Sequence, residues 1–369
     1  MASRKIVRRI GYWIFLLLFT LVAAEIILRI YNPFPTSVTG DRVTLQTNTR
    51  VTFRNAKETL LDSTVIVLKN SLGFRGADLP KNLPDYLSIL TIGGSTTECI
   101  FINEEKTWPA LLSDTLNQSF SPFWLNNAGL NGHSTFGHIK LLKDYIVPIR
   151  LKVCIFLVGC NDIDRPDLNR YDQSMVNSNQ YLVVRLARYS RLANVGLNFY
   201  RHHLAKEREL IQEHPYGLSK QSPVTISDSA IQQILDKLKP DVVNYSGRLK
   251  TIISICKQAN ILPIFLTQPC LLGEGIDDVT GIDLATYPFR NINGRLQWLE
   301  LEMYNDETRH VCNESNVMMI DLARLLPKST KYFYDAFHYN NNGCKKINEL
   351  IAIPVLNYLT NKFPSFRRK

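Results

Sequence analysis

The sequence predicts a three-layer α/β/α domain on a five-stranded parallel sheet, preceded by one apolar helix. Three observations predict it. From Tyr86 onward, short apolar runs alternate with stretches of helical spacing. The apolar runs are nearly unbroken, as in strands covered on both faces. The intervals between them have room for crossover helices, whose usual right-handed connection puts helices on both sides of a sheet.

In chain order, "RKIVRR" precedes "IGYWIFLLLFTLVAAEIIL", a 19-residue apolar stretch broken only by Glu25. At about 1.5 Å per residue such a helix nearly matches a hydrocarbon core of about 30 Å. Four basic residues before it, with few soon after, place the N-terminus in the cytoplasm and the remainder on the extracytoplasmic side. A cleaved signal peptide is the rival, since Val22-Ala23-Ala24 offers a small-residue site, but apolar residues continue past it as "IILRIY". The expected organisation is residues 1–31 as basic tip and transmembrane signal anchor, 32–85 as extended linker and domain edge, and 86–369 as the main domain.

Within that domain, "YLSILTI" (86–92) is the first strand. "TWPALLSDTLNQ" (107–118) is helical, with Pro109 near its start, where a missing N–H costs little. "FWLNNAG" (123–129), "KVCIFLVG" (152–159), "ILPIFLTQP" (261–269) and "NVMMIDLA" (316–323) are the other strands, with helical "HIKLLKDYIV" after the second. A helical insertion occupies about 163–250, longer than one crossover requires. Its amphipathic stretch carries Arg185, Arg188, Arg191 and Arg201 and reads as a solvated helix pair, or as a membrane-facing lid.

Composition narrows the function. The net charge of +10 lies largely at the ends, and no basic stripe interleaves with stacking aromatics, so nucleic acid is not an expected partner. Seven cysteines exclude complete internal pairing and show no metal-type spacing; no disulfide framework, metal or cofactor is expected.

In parallel sheets, ligands sit beyond the carboxyl ends of the strands. After the first strand comes Gly93-Gly94-Ser95, after the second "NAGLNGHST", after the third "GCNDID" and past the fifth "YFYDAFHYNNNG". Taken singly, Ser95 and Asn161 read as helix caps, Gly132 as a turn glycine and His338 as part of a polar turn. Taken together they supply a hydroxyl, a base and oxyanion donors. A serine hydroxyl needs a base to take its proton, and that base needs an acceptor on its other nitrogen. His338 is the candidate base and Asp335, three residues earlier, its partner. Ser95 N–H, Gly132 N–H and the Asn161 amide are candidate oxyanion donors, with glycine at 132 read as allowing close backbone approach.

The four blocks "GGST", "NAGLNG", "GCND" and "DAFHYNNNG" resemble those of the SGNH (GDSL-type) hydrolases. "TWPALL" also looks like the family, and "NSLGFRG" (70–76) like its membrane-anchored bacterial members. The resemblance implies a flavodoxin-like five-stranded sheet and metal-free ester hydrolysis. Ser95 would be the nucleophile, Gly132 and Asn161 would complete the oxyanion hole, and Asp335 and His338 would finish the triad. The sequence departs from the family at Gly94, where an Asp is common, and at Cys99, where a glycine is usual.

Other residues receive plainer readings. His133, His138, His202 and His203 lack the company of metal ligands and read as packing or solvated groups. Asp162 reads as a loop anchor, and Gln268-Pro269 lies close enough to a strand end to line a pocket. The expected function is a membrane-anchored serine esterase acting on an O-acetylated envelope carbohydrate or a lipid. O-acyltransfer through the same acyl-enzyme and a catalytically silent glycan-binding module are the alternatives.

Overall fold

A computed structural model describes residues 2–31, 33–34, 38–40, 42–55, 61–163, 182–207 and 218–368. Parts of the expected insertion, 164–181 and 208–217, lie outside these residues. The chain forms two compact units, Met1–Gln46 with Gln173–Ile211, and Thr47–Asp172 with Gln212–Lys369.

The first unit holds the apolar helix Ala2–Ile30, a two-residue antiparallel pair of β1 (Val38–Thr39) and β2 (Arg42–Val43), and the helices Leu182–Tyr189 and Arg191–Glu207. Lys5–Ile30 is the one stretch among the described residues long and apolar enough to cross a membrane. Glu25, the lone acid in that stretch, has a local purpose. Its carboxylate accepts from Ser190 Oγ (2.8 Å), Arg191 N (3.0 Å) and Leu192 N (2.9 Å), satisfying N–H groups that open the next helix. Arg201, expected on a solvated face, is 6% exposed and donates to Gly40 O at 2.9 Å. It holds the turn of the β1–β2 pair, a role helical periodicity alone does not reveal.

The second unit opens with an antiparallel pair, β3 (Thr49–Arg54) and β4 (Thr64–Lys69). Its main sheet contains β5 (Leu87–Gly93), β6 (Phe123–Asn127), β7 (Val153–Val158) and β8 (Leu262–Thr267), followed by a short pair β9 (Pro288–Phe289) and β10 (Ile292–Asn293), and then β11 (Met318–Ile320). All neighbours in the five-stranded sheet are parallel, in the order β6-β5-β7-β8-β11. β5, β7 and most of β8 are buried along their length, the reason their sequences read as unbroken apolar runs. The last strand is shorter than the apolar run 316–323 suggests, because Asp321 starts the helix Leu322–Leu325 and ends the ladder at Ile320.

Helices Trp108–Asn117 and Asn341–Lys362 pack together, and Thr135–Leu141, Asp228–Gln258 and Gly294–Glu314 form a second group. With the sheet they make the expected three-layer α/β/α domain of flavodoxin-like strand order. Phe156 and Phe265, stacked at 4.9 Å, sit in its core. The second strand lies on one side of the first and the third on the other, so the order reverses between β5 and β7. A crevice opens at such a reversal, beyond the carboxyl ends of the two strands. Gly93 of β5 is level with Leu157 of β7, so Ser95 and Asn161 emerge side by side.

Candidate active site

β5 ends at Gly93 and the chain turns directly into the helix Ser95–Glu98. Gly94 is the N-cap, with no side-chain cap bond, and Ser95 is the first helical residue. Its hydroxyl is therefore not spent on the helix. His338 Nε2 lies 2.8 Å from Ser95 Oγ, and His338 Nδ1 lies 2.8 Å from Asp335 Oδ2 and 3.0 Å from Oδ1. The carboxylate can only accept, so Nδ1 carries the proton and Nε2 turns a lone pair to the serine O–H. The Asp–His spacing works through a turn rather than a helical one. Asp335 Oδ1 accepts from the backbone N–H of Phe337 (2.9 Å) and His338 (2.7 Å), closing the loop onto the carboxylate. Asp335 is 2% exposed, and Tyr334 stacks on the imidazole at 5.6 Å.

Asn161 lies within the 3-10 turn Cys160–Asp162 and does not cap it; Gly159 is the N-cap. Its Nδ2 donates to His133 O at 2.9 Å, which leaves a second N–H. A Cβ on Gly94 would stand 2.2 Å from that nitrogen. In this chain a side chain at 94 would require the Asn161 amide to move. Ser95, at the start of its helix, has no intrahelical partner for its N–H.

Gly132 is in the same loop as His133, whose carbonyl holds Asn161, and Leu130 N donates to Gly93 O at 3.0 Å. The reason for glycine at 132 differs from the one expected. Nothing lies within 4 Å of a Cβ built there, so close approach is not the constraint; the φ of +73° is. At Cys99, the other departure, φ is +52°, a left-handed conformation that glycine adopts without penalty and cysteine adopts with strain.

Several supporting residues escaped the sequence reading. Arg75, within "NSLGFRG", is fully buried. Its guanidinium donates to Glu104 Oε2 (2.7 Å) and to the carbonyls of Glu98 (2.7 Å), Cys99 (2.7 Å) and Ile102 (2.9 Å). Trp108 Nε1 donates to Thr96 O (3.1 Å), and Asn127 Nδ2 to Thr97 O (2.7 Å). Gln268 is buried rather than lining a pocket: its Oε1 accepts from Thr96 Oγ1 (3.1 Å) and its Nε2 donates to Tyr339 OH (3.1 Å). It thus ties the serine turn to Tyr339, the residue after the histidine. Arg75 and Trp108 lay in stretches already marked by their resemblance to the family, and Gln268 beside a strand end, but none of the three showed its partners in the sequence.

Asp162 anchors its loop. It accepts from Thr135 Oγ1 (2.5 Å) and pairs with Arg248 at 3.1 Å, while burial raises its pKa against the pull of that guanidinium. All seven cysteines are buried and none forms a disulfide, and no metal-binding cluster occurs among the described residues.

A family model described as the GDSL-like lipase/acylhydrolase family matches residues 91–346. The chain belongs to that family. It is an ester-hydrolysing enzyme with the α/β/α fold described above. No curated protein matches it. Among solved structures, it is similar to a psychrotrophic esterase from a Pseudoalteromonas species (13% identity, 74% of this chain and 98% of that one, TM-score 0.40). It is also similar to a lipase/acylhydrolase from Enterococcus faecalis (13%, 73% and 96%, TM-score 0.41). A third is an acetylxylan esterase from Geobacillus stearothermophilus (12%, 73% and 93%, TM-score 0.41). At such scores these likenesses carry no weight for substrate or mechanism.

The histidines beside the site are packing groups. His138 is 1% exposed, and burial lowers its pKa from 6.5 to about 3; burial likewise lowers that of His133 to about 4. Both stay neutral in the folded protein at pH values where an unfolded histidine binds a proton. Stability therefore falls as pH drops from about 6.5 toward 3, by about 1.4 kcal/mol per unit for His138. Denaturant unfolding of wild type and His138→Phe across pH 7 to 5 should show a shallower slope in the variant by about that amount. Equal slopes would mean that His138 is protonated when folded.

Proposed function

We propose that this enzyme is a serine esterase in which Ser95 is the nucleophile, His338 the general base and Asp335 the group that orients and charge-stabilises the imidazole. The observation that carries this is the continuous hydrogen-bond line Ser95 Oγ–His338 Nε2 and His338 Nδ1–Asp335, each link 2.8 Å long. In acylation, Ser95 Oγ bonds to the ester carbonyl carbon while its proton passes to His338 Nε2. The carbonyl oxygen becomes an oxyanion, held by Ser95 N–H, Gly132 N–H and the Asn161 amide. As the intermediate collapses, the carbon–alkoxide bond breaks and Nε2 returns the proton to the leaving alcohol. Water then repeats the sequence, giving the acid and free Ser95.

Asn161→Ala should lower kcat by about 10²–10³ with folding intact, as expected for loss of one oxyanion donor. Ser95→Ala and His338→Ala should each abolish turnover of aryl esters, and the double variant should lose hardly more, since the pair acts as one unit. Retained activity in Ser95→Ala, or multiplicative losses, would contradict the assignment.

The proposed substrate is an O-acetylated envelope carbohydrate or a lipid, because the enzyme would work at a membrane surface. The helix Ala2–Ile30 would span the bilayer with its basic end in the cytoplasm, supported by Arg4, Lys5, Arg8 and Arg9 ahead of the apolar stretch. A reporter fused after Lys369 should be active only on the extracytoplasmic side; activity confined to the cytoplasm would reverse the topology, and a mature chain starting at Glu25 would mean the span is removed.

A further inference from the structure

The loop between β6 and the helix Thr135–Leu141 can be followed one backbone N–H at a time. Ala128 N donates to Thr91 O (2.9 Å), Gly129 N to Asn127 Oδ1 (2.8 Å) and Leu130 N to Gly93 O (3.0 Å). Asn131 N donates to Glu98 Oε2 (2.8 Å), and His133 N to Leu130 O (3.1 Å). Across 128–133, the N–H of Gly132 is the one with no acceptor among the described residues. Backbone donors in folded chains are nearly always paired, so a single one left over in a bonded loop is available to a ligand.

Of the five acceptors, only Glu98 carries a charge, and it holds the residue immediately before Gly132. Glu98 is buried at the end of the helix that begins with Ser95. Its Oε1 accepts from Nζ of Lys69, in β4, at 2.8 Å, and the lysine side chain is itself only 13% exposed. Apolar side chains of similar volume generally stabilise a fold as well as a buried ion pair does, so the pair is not needed for stability alone. What it supplies is a carboxylate fixed on one side by Lys69, with its other oxygen making a charge-assisted bond to Asn131 N, about twice as strong as a neutral one. The loop also runs hard against the same residue, since a Cβ on Gly129 would stand 2.3 Å from Glu98 N. The serine turn and the glycine loop are thereby joined through Glu98.

We propose that Glu98 is a positioning residue for the oxyanion site. Its carboxylate, steadied by Lys69, holds Asn131 N so that the neighbouring Gly132 N–H stays presented to the ester oxygen beside Ser95 N–H. The inference rests on the proposed roles of Ser95 and Gly132. Glu98 itself touches no reacting atom.

Two double variants of the full-length enzyme separate this role from simple ion pairing. Lys69→Met/Glu98→Gln removes both charges and keeps an oxygen for Asn131 N–H. Lys69→Met/Glu98→Met removes both charges and the acceptor, at similar volume. With a soluble aryl ester, the Gln variant should stay within about threefold of wild-type kcat. The Met variant should lose about 10–100-fold in kcat with KM nearly unchanged, because a displaced donor is missed mainly in the transition state. Equal kcat in the two variants, or a loss confined to KM, would overturn the proposal. If either variant fails to fold, judged by thermal unfolding, residue-resolved hydrogen exchange of the native enzyme is read instead. The Asn131 amide should then exchange at least about tenfold more slowly than that of Gly132, relative to their intrinsic rates, and equal rates would overturn the proposal. Failure of the underlying reading looks different, as activity retained in Ser95→Ala. Failure of this inference alone leaves Ser95→Ala inactive and the two double variants alike.

Discussion

The hydrogen bond between Ser95 Oγ and His338 Nε2 joins groups 243 residues apart in sequence, and most of the second unit is arranged so that it can form. A hydroxyl gains nothing from an imidazole unless the imidazole is fixed on its far side. Asp335 does this twice, through its bond to Nδ1 and through the backbone N–H groups of Phe337 and His338. The serine must also arrive at the right height. The order of strands reverses between β5 and β7, and the serine emerges into the crevice beyond the carboxyl ends of those two strands.

Holding the serine turn in place takes a second set of contacts. The helix Ser95–Glu98 is a single turn and cannot support itself. Its free carbonyls are met by Trp108, Asn127 and Arg75, and Thr96 is tied through Gln268 to Tyr339. Arg75 is the most committed of these, since its buried charge survives only because every bond it makes goes to a carboxylate or a carbonyl aimed at it. Cys99 keeps a left-handed conformation at the end of the same turn, a strain that the surrounding contacts must outweigh. Under the proposed mechanism, that rigidity would leave little rearrangement to make when charge develops on the ester oxygen.

Much of this frame was legible in the sequence. Unbroken apolar runs marked β5, β7 and β8 because those strands are covered on both faces, and the polar groups past each strand end marked the crevice. What was not legible has a common cause, the dependence on distant partners. Arg201 looked like a surface arginine until Gly40 O was beside it, and Gln268 looked like a pocket residue until Thr96 and Tyr339 enclosed it. Glu25 looked like an interruption of an apolar helix, whereas its acceptor oxygens complete the start of the helix Arg191–Glu207. At Gly132 the residue type was informative but the reason was not, since a positive φ cannot be told from close approach by reading the letter G. At Gly94 the neighbour was not legible either: one nitrogen of Asn161 stands in the space a side chain would fill.

The measurement that bears most directly on the catalytic account is covalent trapping of the nucleophile. The full-length enzyme, treated with an aryl phosphonate and digested, should show one modified peptide by mass spectrometry, with the adduct on Ser95. Modification of a different serine, or equal labelling of the Ser95→Ala variant, would contradict it.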